Sequence, residues 1–137
     1  MHSKVRHLFA AGAGLALVLS AGGALAHHSF ASEFDIKSPV SFTGKVVKVE
    51  MINPHSWIHL EITRTDGTKE VWMVEGGSPN VLLRRGINKS SIPVSSELKV
   101  EGFQARDKAK RAVGRTITFA DGKSLFFDST AIPDAPK

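Results

Sequence analysis

Between two turn signals, Asn53-Pro54 and Asp66-Gly67, the chain alternates cleanly from Trp57 to Thr63. Ile58, Leu60 and Ile62 fall on one side, and Trp57, His59 and Glu61 on the other. Successive side chains of an extended strand point to opposite faces, so Trp57 to Thr63 reads as a half-buried strand. Before it, Val46, Val47 and Val49 supply β-branched residues to a strand that becomes recognisable after Pro39 and ends at the Asn53-Pro54 turn. After it, Glu70 to Glu75 form a third strand, because Asp-Gly tolerates the positive φ of a two-residue type I′ hairpin turn.

These turns set a register. With Thr65 opposite Thr68, Ile62 faces Val71, Leu60 faces Met73 and His59 faces Val74. With Asn53 to Ser56 as the first turn, Val49 meets Leu60, Met51 meets Ile58 and Glu50 meets His59. Both hairpins then place the apolar residues on one face, a consistency that a one-residue slip would destroy. The outward face carries Glu50, Trp57, His59, Glu61 and Trp72.

Downstream, Ser78-Pro79-Asn80 opens a short helix: Ser78 can cap it, and Pro79 suits its first turn, where a missing N–H costs nothing. Gly86 closes it after Arg84-Arg85. A fourth strand is expected near Leu98 to Ala105, a basic loop over Arg106 to Arg115, and a final hairpin, Thr116 to Ala120 and Lys123 to Phe127, turning on Asp121-Gly122. Three meandering strands, one helix and then two or more strands have the order of an OB-type barrel, mainly β, in the sequence β-β-β-α-β-β. Such barrels offer the outer face of strands 2 and 3 and the neighbouring loops to ligands. An immunoglobulin-like sandwich is the competitor, but it wants about seven strands and has no place for the helix. The barrel domain is expected over residues 40–128, after an irregular lead-in over 27–39 that holds Phe30 and Phe34. A disordered tail is expected over 129–137.

The amino terminus bears on the compartment. Lys4 and Arg6, the apolar run Leu8 to Leu19, and Ala24-Leu25-Ala26 have the order of a cleavable export signal, residues 1–26. The run is too short and Gly-rich to span a membrane, which takes roughly 20 residues. A periplasmic protein with no transmembrane segment after cleavage is therefore expected, and with it no nucleic-acid partner. Removing Lys4 and Arg6 leaves 18 − 2 = 16 basic against 13 acidic residues, a charge of +3. There is no cysteine, which excludes disulfides, thiolate metal sites and a lipoprotein anchor.

Four histidines follow the cleavage site. His27, as a free amino terminus, offers an amine and a ring nitrogen; with His28 and a third nitrogen from His55 or His59 it suits copper. Glu50 would orient His59 behind the metal. Set against this, His55 and His59 are four residues apart, roughly 13 Å along a straight strand, too far to share one ion. The plainer reading is of solvated or turn histidines. Trp57 and Trp72 on the same face have a plain reading too, as residues covered by Phe30 or Phe34 of the lead-in. Gly76-Gly77 could hold an anion if exposed, but reads better as a tight strand-to-helix turn. Arg106, Lys108, Lys110, Arg111 and Arg115 stand against the single acid Asp107, either as a solvated loop or as a docking site for lipid headgroups or a partner. No hydrolase motif is complete.

Taken together, His27-His28-Ser29-Phe30, Asn53-Pro54-His55-Ser56-Trp57-Ile58-His59, Glu75-Gly76-Gly77-Ser78-Pro79-Asn80 and Leu83-Arg84-Arg85-Gly86 resemble a family of small exported bacterial proteins catalogued as a domain of unknown function. The resemblance spans the mature chain and implies a periplasmic location and one small β-rich domain, with no activity, substrate or cofactor attached. The residues themselves favour a binding module for an unknown small ligand or envelope protein, with copper as a candidate cofactor. A copper-dependent redox enzyme and an envelope protein docking through the basic loop are the alternatives.

Overall fold

The computed structural model describes residues 32–128. His27, His28, Phe30, the export signal and the 129–137 tail lie outside the described residues. From Phe34 onward the elements are β1 (Phe34–Ile52), β2 (His55–Thr63), β3 (Lys69–Glu75), α1 (Pro79–Arg84), a 3-10 turn (Lys89–Ser91), β4 (Glu97–Ala105), β5 (Arg111–Phe119) and β6 (Ser124–Phe126).

Alternation along β2 buries Ile58 and Leu60 completely, and β1 and β3 add Val46, Val49 and Val74 on the same side. A sheet that is apolar on one face must cover it, and this one does so by curling on itself. β1 pairs antiparallel with β2 through residues 45–52 and with β4 through residues 34–45. Gly44 lies at that hand-over, where an added Cβ would come within 2.9 Å of the Glu61 carbonyl oxygen. β4 pairs with β5, and a parallel contact of β3 with β5, Met73 to Glu75 against Arg111 to Val113, completes the circuit. The closed order β1-β2-β3-β5-β4 is an OB-like barrel, mainly β, as the sequence leads one to expect. The sandwich alternative is thereby excluded.

α1 plugs the barrel between β3 and β4 with Leu82, whose burial contributes roughly 1.5–3 kcal/mol. Ser78 Oγ accepts from Val81 N at 3.3 Å, and Pro79 occupies the first turn. At the other end Gly86 adopts φ +77°, with Gly86 N bonded to Leu83 O and Ile87 N to Leu82 O. That pair of bonds is a Schellman cap, and Ile87 and Leu82 accordingly meet in the core.

Both hairpin registers differ from expectation. The Asp66-Gly67 turn closes on Arg64 and Thr68, not on Thr65 and Thr68: Arg64 N bonds to Thr68 O, and Gly67, at φ +83°, ends a three-residue loop. Such loops put a glycine in the left-handed region next to a type I turn. The strands therefore slip by one residue, so that Leu60 faces Trp72, His59 faces Met73 and Ile58 faces Val74. The first hairpin slips by two, because Asn53 and Pro54 alone form its loop, joined by a cis peptide bond. Val49 then meets Ile58 and Glu50 meets Trp57. A two-residue slip keeps every side chain on its own face, whereas a one-residue slip exchanges them.

Two boundaries also move. β1 begins at Phe34, ahead of Pro39; the ladder to β4 is already interrupted between those residues, so a proline without an N–H is tolerated there. β5 begins at Arg111, inside the segment expected to be a basic loop. Ala112 and Gly114 are weak strand formers, yet this stretch is buried; Ala112 and Val113 pair on both sides, with β3 and β4, and Gly114 with β4. Tertiary contact outweighs local propensity at this point.

Candidate ligand face

The outward residues of β2 are His55, Trp57, His59 and Glu61, all half-buried. β1 sets Glu50 opposite Trp57, and β3 sets Glu75 there on the other side. Glu50 reaches diagonally to His59, Oε2 to Nε2 at 2.7 Å, and accepts from Lys48 Nζ at 2.7 Å through its other oxygen. The lysine contact, then the histidine contact, holds the Glu50 carboxyl below its ordinary range. At the loop end, His55 Nδ1 lies 2.8 Å from Oε1 of the largely buried Glu75. Nδ1 is shielded from solvent and poorly aligned for a hydrogen bond.

Glu50, Trp57 and His59 thus share one face, as expected. Trp72 does not. The one-residue slip turns it to the other side of the sheet, where its ring lies 4.9 Å from that of Phe42 and its Nε1 donates to Glu70 Oε1 at 2.7 Å. Phe34, a candidate cover for the tryptophans, is buried against the barrel with the Arg111 guanidinium 5.9 Å above its ring. In Trp72's stead the slip brings Met73 and Val71 outward, 37% and 47% exposed. Ile52, Asn53, Pro54, His55, Trp57 and Met73 line an open cleft of about 410 Å³ bordered by Glu50. Glu75 and Met73 were legible only to a reading that takes Gly67 as the last residue of a three-residue loop.

His55 and His59 engage separate carboxylates, and among the described residues no three His, Asp or Glu side chains converge to hold a metal. The Gly76-Gly77 amides are not available to an anion. Gly76 N donates to Ser56 O at 2.8 Å and Gly77 N to Phe127 O at 2.7 Å.

The five basic residues are also not a common patch. Arg111 and Arg115 belong to β5 rather than to a loop. Lys108 donates to Ser38 Oγ at 2.8 Å and lies 3.9 Å from Asp35; Lys110 pairs with Glu70 at 2.8 Å; Arg111 lies 3.7 Å from Asp107. Arg106 is engaged within the chain as well. Arg115 instead lies 6.0 Å over the Phe103 ring.

A family model described as a family of unknown function, DUF6152, matches residues 15–114, well over half of the 137 residues. The chain belongs to DUF6152. The match includes the positions of all four motifs noted above. Among solved structures, this DUF6152 chain is similar to the dimeric N-terminal domain of PriB protein from Thermoanaerobacter tencongensis. That likeness covers 61% of this chain and 97% of the other, at 18% identity and a TM-score of 0.36. No curated protein matches. No helix among the described residues of this DUF6152 chain is long and apolar enough to cross a membrane.

Proposed function

We propose that the protein is a non-enzymatic periplasmic binding module that takes an apolar group of its ligand in the cleft beside the β1–β2 loop. The observation that carries this reading is the cleft itself. Ile52 is 67% exposed and Met73 37%, and with Trp57 they put apolar surface on a face otherwise built of ion pairs. Binding sites combine such a surface with a few polar groups held in place, here His55 on Glu75 and His59 on Glu50. Indole is a suitable probe, being flat and uncharged. Its titration into 15N-labelled protein is expected to shift amide signals of residues 50–57 and 73. Replacing Trp57 and Met73 with Ala removes those shifts while the remaining spectrum stays dispersed. Shifts scattered over the barrel, or unaltered by the double substitution, dismiss the cleft.

One observation favours copper as a second reading. Each of His55 and His59 turns one ring nitrogen to a carboxylate, the arrangement that orients an imidazole whose other nitrogen holds a metal. The expectation rests on His27 and His28 as much as on these two. Metal analysis of protein purified from its native compartment tests it, and copper well below one equivalent dismisses it.

A further inference from the structure

Residues of β1, β4 and β5 border an open depression of about 510 Å³. Pro39, Val40 and Phe103 give it apolar walls, and Ser41, Thr116 and Arg115 bring polar groups to its rim. Arg115 reaches it through an irregularity in the sheet. β4 and β5 pair Glu101 with Thr116 but Gly102 with Gly114, so Arg115 is an extra residue with no partner across the ladder. A bulge of this kind bends the strand and re-aims the side chain of the inserted residue. It needs a glycine opposite: a Cβ on Gly102 would lie 1.9 Å from the Val113 carbonyl oxygen.

The bulge delivers a guanidinium that is not spent on a carboxylate. Lys108, Lys110 and Arg111 are each drawn to an acid of this chain. Among the described residues the Arg115 side chain makes no hydrogen bond or ion pair, and its guanidinium lies 6.0 Å from the centre of the Phe103 ring. Glu101, the acid on the same rim, is engaged by Lys99 at 3.0 Å. A guanidinium stacked over an aromatic ring keeps its fork of donors free for a planar anion.

We propose that this depression is a second binding site, for a small monocarboxylate with a flat apolar body. The carboxylate meets the Arg115 fork, and the body rests among Phe103, Pro39 and Val40. One guanidinium balances one charge, and the nearby Glu101 disfavours a dianion such as phosphate. The site shares only β1 with the cleft of the proposed function, at residues 39–41 rather than 50–52, and stands independently of it.

Titration of 15N-labelled full-length protein with benzoate tests the site. Amide shifts are expected at residues 40–41, 101–103 and 115–116, with inorganic phosphate binding more weakly. Arg115→Gln is expected to weaken benzoate about tenfold or more, the loss of a charge-assisted contact. Glu101→Gln is expected to tighten it. Unchanged benzoate affinity in Arg115→Gln, shifts confined to other strands, or phosphate binding more tightly than benzoate overturns the proposal. Should Arg115→Gln lose its dispersed spectrum, Arg115→Lys takes its place. It keeps the charge but not the fork, and benzoate affinity equal to the unsubstituted protein's overturns the proposal.

Discussion

Gly76 has room for hydrogen and nothing larger. A Cβ there would come within 2.3 Å of the Phe127 ring, which is itself fully buried. Gly76→Ala must therefore displace Phe127 or the β3 end, and a loss of about 1–3 kcal/mol is expected from overpacking. Urea unfolding measures it, and an unchanged midpoint would contradict the close approach. The two tryptophans differ in the same kind of way. Trp72 packs on Phe42 inside the barrel mouth and donates to Glu70. Trp72→Ala is expected to cost near the lower end of the about 3–5 kcal/mol seen for large aromatic deletions, because the ring is half-buried. Trp57→Ala should cost less, because that ring is equally half-buried but, among the described residues, lacks the aromatic neighbour and the hydrogen-bonded indole nitrogen that Trp72 has. Thermal unfolding of the two variants checks the order, and equal losses would argue against the observed register.

Among the elements, α1 depends most on its ends. It has 6 residues, too few to persist on propensity alone, and is held by Leu82 and its caps. Ser78→Ala removes the acceptor for Val81 N and is expected to lower stability by about 1 kcal/mol. Ser78→Asp should restore most of it, a comparison that separates capping from packing. This helix was legible residue by residue, since Ser78, Pro79 and Gly86 act on their own backbones. The hairpins were legible only in outline. Asp66-Gly67 and Asp121-Gly122 mark turns, and both close three-residue loops, on Arg64 with Thr68 and on Phe119 with Lys123. A dipeptide tells where the chain reverses, not how many residues the reversal takes. That one residue decides which face receives Trp72.

Across the whole molecule, Glu70 ties the meander to the β4–β5 connection. Lys110, Trp72 and Arg64 all contact its carboxyl, and the lysine contact above all, then Trp72, lowers its pKa to about 2. Asp35, Glu50 and Asp66 are also held below their ordinary values: Asp35 by Lys37 N and Ser38, Glu50 by Lys48 and His59, Asp66 by Thr68. A carboxyl with a depressed folded pKa adds stability that is fully present above its unfolded value. That stability is lost as the folded state takes up the proton. For Glu70 the window runs from pH 4.5 down to about 2. The urea midpoint is thus expected to be flat from neutral pH to about pH 5 and to fall below it. Glu70→Gln should start lower at neutral pH and fall less steeply; a parallel curve would remove Glu70 from the account.

The sequence by itself determined the strands of the meander, the capped helix, the positions of the turns and the order that makes a barrel. Each of these follows from alternation or from backbone preferences acting within a few residues. Only the tertiary structure decided which side chains share a face and which charges are spent. Pairing β3 with β5 at residues 111–113 extended the expected strand back to Arg111, the Gly67 loop sent Trp72 inward and Met73 outward, and the Gly102 bulge set Arg115 over Phe103. Those outcomes depend on contacts between residues far apart in the chain, where the partner, and not the residue, supplies the energy.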